Sequence, residues 1–169
     1  KNLSGHILTI EDPIEFVHLY DKCIITQREV GVDTNSFDCA LKNALRQRVD
    51  VIAIGEIRDQ NSMEHALRFA ETGHLCIATL HSNNASQAIE RITNLFPQSS
   101  RTYILSTLAQ NLISIFSQRL VPGINKEREL AIDILINEGL IKSHILEGDI
   151  NEIKDTQERF YNRGLRSFD

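Results

Sequence analysis

Residues 50–59 read Asp-Val-Ile-Ala-Ile-Gly-Glu-Ile-Arg-Asp, a short apolar run that ends abruptly in a glutamate, an arginine and an aspartate. Val51 to Ile54 is too short for an ordinary helix and too apolar for a half-exposed strand, so it reads as a parallel strand covered on both faces. In open α/β sheets ligands sit beyond the carboxyl ends of such strands, which is where Glu56 falls. The competing reading is that Glu56, Arg58 and Asp59 only solvate a loop and cap the next helix.

The rest of the chain agrees with a mainly parallel sheet flanked by helices, because short β-type runs alternate with helical patterns as far as about Val121. Residues 6–10 form a strand that stops at Glu11, Asp12 and Pro13, and residues 24–27 form a weaker one. Residues 36–48 are amphipathic, with Phe37, Ala40, Leu41, Ala44 and Leu45 on one face. After the Val51 strand, Asn61 or Ser62 caps a helix carrying Met63, Ala66, Leu67 and Ala70 inward, and Gly73 closes it. Residues 75–80 return as a strand, followed by a helix from Ala85 that Pro97 stops and a longer helix carrying Ile104, Leu108, Leu112 and Phe116. A charged loop at residues 125–129 leads to a last strand at 130–136 and short helices, with Ile150, Ile153, Phe160 and Tyr161 on one face. The chain starts in a strand and stops without an evident structural end, so the expectation is a piece of a longer protein.

With 169 residues the chain suits one α/β domain or one domain with a small appendage, and a core of that size needs no metal or disulfide staple. A formal charge of −5 with scattered basic residues gives no electrostatic footprint for nucleic acid. Cys23, Cys39 and Cys76 lie in apolar surroundings without a Cys-x-x-Cys spacing, which points to buried thiols in a reducing compartment. No run approaches the ~20 apolar residues needed to span a bilayer, so a cytoplasmic protein is expected.

Three strands end in chemistry: the first in Glu11 and Asp12, the second near Glu56, the third in His81. Adjacent parallel strands bring such groups to one rim, where two carboxylates and a histidine suit positioning a water, holding a metal ion and sensing a charged leaving group. Asp12, followed by Pro13 and Glu15, also matches a helix cap with a first-turn proline. Glu11 has no such structural explanation. His74 and His81 bracket a strand and stand roughly 20 Å apart at ~3.3 Å per residue, so they cannot share one ion. Ser82, Asn83 and Asn84 suit either anion binding or the cap of the helix from Ala85. The sequence holds no nucleophile elbow, no Gly-x-x-x-x-Gly-Lys-Ser/Thr and no Gly-x-Gly-x-x-Gly.

These residues resemble, in order, three boxes of the PilT/PilU family of secretion ATPases, the hexameric motors that retract type IV pili. Residues 6–16 are similar to its Asp box, residues 51–59 to its atypical Walker B box, and residues 71–81 to its His box. Residues 27–31, Gln-Arg-Glu-Val-Gly, extend the likeness. Residues 66–72, 80–85 and 148–155 resemble the PilU branch more than the PilT branch, and residues 139–145 depart from the PilT pattern.

The resemblance implies a partial RecA-like P-loop NTPase core over residues 1–136 and a helical segment over 137–169. It implies that Glu11 polarises the attacking water, that Glu56 helps hold Mg²⁺, and that His81 senses the γ-phosphate of ATP. Arg46 and Arg58 would contact nucleotide or a neighbouring subunit, and His74 would join the nucleotide-binding set. Gly55 stands where the usual Walker B aspartate would be, as in this family. The expected assembly is a homo-hexamer at the inner membrane, working with a partner retraction ATPase and the pilus platform protein. Because the phosphate-binding loop precedes the Asp box in this family, the chain alone is expected to lack ATPase activity. Two alternatives remain: an assisting subunit with little turnover of its own, or a metal-dependent hydrolase using Glu11, Asp12, Glu56 and Asp59.

Overall fold

The computed structural model describes residues 4–124, 127–160 and 164–168, so Asn125, Lys126 and Tyr161 lie outside the described residues. The chain divides into two units, Lys1–Leu80 and His81–Asp169.

The first unit is built on a four-stranded, all-parallel sheet in the order β2-β1-β3-β4. Its strands are β1 (Gly5–Glu11), β2 (Cys23–Glu29), β3 (Val51–Ile54) and β4 (Leu75–Ala78). Helix α1 (Phe37–Ala44) connects β2 to β3, and α2 (Gln60–Glu71) connects β3 to β4. The hydroxyl of Ser36 accepts the Cys39 N–H at 3.1 Å, which fixes the start of α1. Helix α2 ends at Gly73, whose φ of +87° is the left-handed turn that the sequence anticipates.

The register places Leu8 beside Ile52 and Ile10 beside Ile54, and all four side chains are buried. Alternate residues point to the other face, where Val51 and Ala53 are only half-buried and Leu75 and Ile77 are 42% and 53% exposed. The expectation that β3 is covered on both faces is therefore met on one. Cys76 belongs to the covered face, where burial pushes its thiol up to about 12. All three cysteines are half-buried, less than their apolar flanks suggest.

Asp12 does not cap a helix. Residues 12–22 are irregular, because β2 side chains take up the backbone groups that a helix would have used. The Ile14 N–H donates to Glu29 at 3.0 Å and the His18 N–H to Gln27 at 2.7 Å, while Gln27 Nε2 donates to the Phe16 carbonyl at 2.9 Å. No local periodicity reveals donors and acceptors that arrive from a neighbouring strand.

The second unit contains α3 (Ala85–Asn94), a 3₁₀ turn at Gln98–Ser100, α4 (Arg101–Asn111), β5 (Ser114–Pro122), β6 (Arg128–Ile136), α5 (Leu140–Glu147) and α6 (Asn151–Arg159). Strands β5 and β6 pair antiparallel. The helix expected to run through Phe116 stops at Asn111, and Phe116 lies in β5. The stop is imposed from a distance: Asn137 Nδ2 donates to the carbonyls of Ala109 at 3.0 Å and Leu112 at 2.8 Å, closing the end of α4. Ile89, Ile104, Leu108, Leu135, Ile145 and Ile153 are buried in the core of this unit, and so is the Asp133 side chain, 1% exposed.

Candidate functional site

Parallel pairing of β1 with β3 sets Glu11 and Glu56 at neighbouring carboxyl ends of the sheet. The link is tight at Gly55, whose N–H donates to the Ile10 carbonyl at 2.8 Å. A Cβ at residue 55 would stand 3.1 Å from that carbonyl oxygen and 3.3 Å from the Glu11 Cα, so glycine lets the two strand ends close up. An aspartate at this position would meet the backbone that carries Glu11.

The Glu11 carboxylate is held through Oε1, which accepts the Thr9 hydroxyl at 2.5 Å and Gln27 Nε2 at 3.1 Å. Glu56 is 16% exposed and ion-paired with Arg58. The Glu56 carboxylate strengthens the hold of Arg58 on its proton, and Asp12 stands 3.7 Å from the same guanidinium. After the turn, the Ile57 N–H donates to the Thr79 carbonyl at 3.0 Å and the Thr79 hydroxyl donates to the Gly55 carbonyl, tying the Glu56 turn to the end of β4.

Asp59, rather than Asn61 or Ser62, caps α2 by accepting the Ser62 N–H at 2.8 Å. The capping reading thus holds for Asp59, while Glu56 and Arg58 face a groove of about 260 Å³. The start of α1, including Ser36 and Asp38, also lines it. Hydrogen bonds from Lys42 and then His65 hold the Asp38 carboxyl below the ordinary carboxylate range.

His81 opens the second unit, so its geometry is described there. Its carbonyl accepts Arg91 Nη1 at 3.1 Å, and the Asn83 carbonyl accepts Arg119 Nη2 at 3.0 Å. Asn84 caps α3 through the Gln87 N–H at 2.9 Å, and the Ala85 N–H donates to Asp133 at 2.8 Å. The loop after His81 is therefore pinned from α3, β5 and β6.

His74 and Arg46 occupy the other end of the sheet. His74 leads into the amino end of β4, bonded to Thr72 at 3.0 Å and edge-on to Phe69. Exposed Arg46 lies in the turn that leads into the amino end of β3. The parallel sheet separates both from Glu11 and Glu56. Sequence reasoning gave no role to Thr9, Gln27 or Asp133. Asp133 had a signal, a lone carboxylate within the apolar residues 130–136.

Glu56 offers hard carboxylate oxygen, which suits Mg²⁺ bound mainly by phosphate oxygens and water. No group of three or more His, Cys, Asp or Glu side chains among the described residues forms an all-protein metal cage.

The family described as Type II/IV secretion system protein matches residues 1–159. The chain is 50% identical over 170 residues to the type IV pilus ATPase PilU of Pseudomonas aeruginosa, covering 100% of this chain and 44% of that protein. It is 40% identical over 164 residues to PilT of the same organism, described as a type IV pilus retraction ATPase, covering 97% of this chain and 48% of that protein. Among solved structures, the pilus retraction motor PilT with bound ADP superposes with a TM-score of 0.87 at 43% identity, covering 99% of this chain and 51% of that one. The ATPase DotB of Legionella pneumophila superposes at 0.85 with 26% identity over 98% of this chain and 46% of that one. The chain spans about half the length of these relatives. Its mainly parallel, helix-flanked sheet is the RecA-like core that the sequence anticipates.

Proposed function

Since the chain belongs to the type II/IV secretion system protein family, we propose that it is part of an ATP-hydrolysing motor that powers type IV pilus retraction. The observation that carries this reading is the pair Glu11 and Glu56 at adjacent carboxyl strand ends, in a fold shared with an ADP-bound retraction motor. Glu11 acts as the base: it accepts a proton from the water whose oxygen bonds to the γ-phosphorus, while the bond from that phosphorus to the bridging oxygen of ADP breaks. Glu56 would hold Mg²⁺ directly or through water, and the ion would supply charge neutralisation for the phosphates when bound. Arg58 keeps the Glu56 carboxylate oriented through their ion pair. His81 senses the γ-phosphate and Arg58 serves nucleotide or a neighbouring subunit within a homo-hexamer, while Arg46 and His74, at the opposite end of the sheet from Glu11 and Glu56, serve a neighbouring subunit. The motor works in the cytoplasm at the inner membrane, with the pilus platform protein and a partner retraction ATPase.

Residues 1–169 contain no glycine-rich phosphate loop, so the chain alone is expected to hydrolyse ATP negligibly. The higher identity to PilU than to PilT, 50% against 40%, supports a second reading, an assisting subunit with little turnover of its own. Both readings meet one experiment, steady-state ATP turnover by a full-length protein that includes a phosphate loop. Turnover that falls by about 10² or more in Glu11→Gln supports the base assignment, given the usual worth of a positioned base. A comparable fall in Glu56→Gln, relieved by raised Mg²⁺, supports the metal assignment. Parental rates in both variants overturn the site, and an inactive parent protein selects the assisting role.

A further inference from the structure

One oxygen of the Glu11 carboxylate is held twice, by the Thr9 hydroxyl at 2.5 Å and by Gln27 Nε2 at 3.1 Å, both on Oε1. The sheet dictates this convergence. Thr9 and Glu11 stand two residues apart on β1 and point to the same face, while Gln27 lies opposite Thr9 in the β1–β2 register. Thr9 is 7% exposed, so its hydroxyl has little competition from water.

The Gln27 amide is fixed in one orientation. Its Nε2 also donates to the Phe16 carbonyl at 2.9 Å, and its Oε1 accepts the His18 N–H at 2.7 Å. Turning the amide over would set oxygen against two acceptors and nitrogen against a donor, losing all three bonds. Glu11 Oε1 therefore meets a donor whose direction is decided elsewhere in the structure. Both donors are neutral, so they aim the carboxylate without cancelling its charge.

We propose that Thr9 and Gln27 are positioning residues that hold Glu11 Oε1 as an acceptor and so direct Oε2 at the attacking water. The proposal rests on the reading of Glu11 as the base. Neither residue touches the reacting atoms; each acts through Glu11, which makes the effect separable from nucleotide binding.

The test uses the full-length protein with ATP and compares Thr9→Val, Gln27→Met, Glu11→Gln and the two double variants with Glu11→Gln. A hydrogen bond to a charged group is worth roughly tenfold or more in rate. Thr9→Val and Gln27→Met are each expected to lower kcat about tenfold, with the KM for ATP and the Tm unchanged. In the Glu11→Gln background either change is expected to add nothing to the remaining loss, as coupled residues require. Parental kcat in both single variants, or the same fold-loss with and without Glu11, overturns the proposal. If Gln27→Met lowers the Tm, Thr9→Val decides alone, because it exchanges the hydroxyl for a methyl of nearly the same size. Full turnover in Glu11→Gln overturns the base assignment itself, whereas loss there with parental rates in both positioning variants overturns only the positioning.

Discussion

Gly55 is where residue-scale packing bears most directly on the site. The added methyl of Gly55→Ala meets the Ile10 carbonyl oxygen at 3.1 Å and the Glu11 Cα at 3.3 Å, both backbone atoms. Their movement strains the bond from the Gly55 N–H to the Ile10 carbonyl. Alanine also restricts the unfolded chain, a gain of about 0.4–1 kcal/mol, against an overpacking cost of about 1–3 kcal/mol. The expected net loss is about 1 kcal/mol in a urea titration, and a variant at least as stable as the parent would refute the close-approach account. At this scale the places of Glu11 and Glu56 at neighbouring carboxyl strand ends were legible, because each follows an apolar run. Asp12 was not, since the groups that replace its expected helix arrive from Gln27 and Glu29 on another strand.

Elements in the second unit are joined by one buried side chain. Asp133 on β6 accepts the Ala85 N–H at the start of α3 and Gln157 Nε2 on α6, each at 2.8 Å. Asp133→Ala would leave both donors buried without that acceptor, at about 1–3 kcal/mol for each unsatisfied group. Gln157 retains the carbonyls of Ile134 and Arg166, so most of the loss falls on Ala85 and the total is expected near ~2 kcal/mol. Thermal or urea unfolding measures it, with faster amide exchange expected at Ala85; a loss below about 0.5 kcal/mol would mean that water replaces the carboxylate. Strand β6 was readable from its apolar run, whereas β5 was hidden behind the helical spacing of Ile104, Leu108, Leu112 and Phe116. What overrides that spacing is Asn137, which closes α4 from 26 residues beyond Asn111 (137 − 111).

For the molecule as a whole, the parallel sheet was legible in the alternation of short apolar runs with helical patterns, but the open side of the sheet was not. Strand β4 is an edge of an all-parallel sheet and exposes Leu75 at 42% and Ile77 at 53%, beside half-buried Val51 and Ala53. Parallel sheets are ordinarily covered on both faces, and an exposed apolar edge strand is a template for pairing with another chain. The relatives are about twice as long as these 169 residues, which gives a full-length protein ample chain to cover this side. The isolated chain is therefore expected to self-associate through β4, with its apparent mass by light scattering rising as concentration rises. Ile77→Lys places a charge at that edge and is expected to hold the isolated chain monomeric. In a full-length protein the amides of residues 75–78 are expected to exchange far more slowly than in the isolated chain. A monomeric parent chain, or self-association unaffected by Ile77→Lys, would show that the β4 edge is not the surface through which the copies meet.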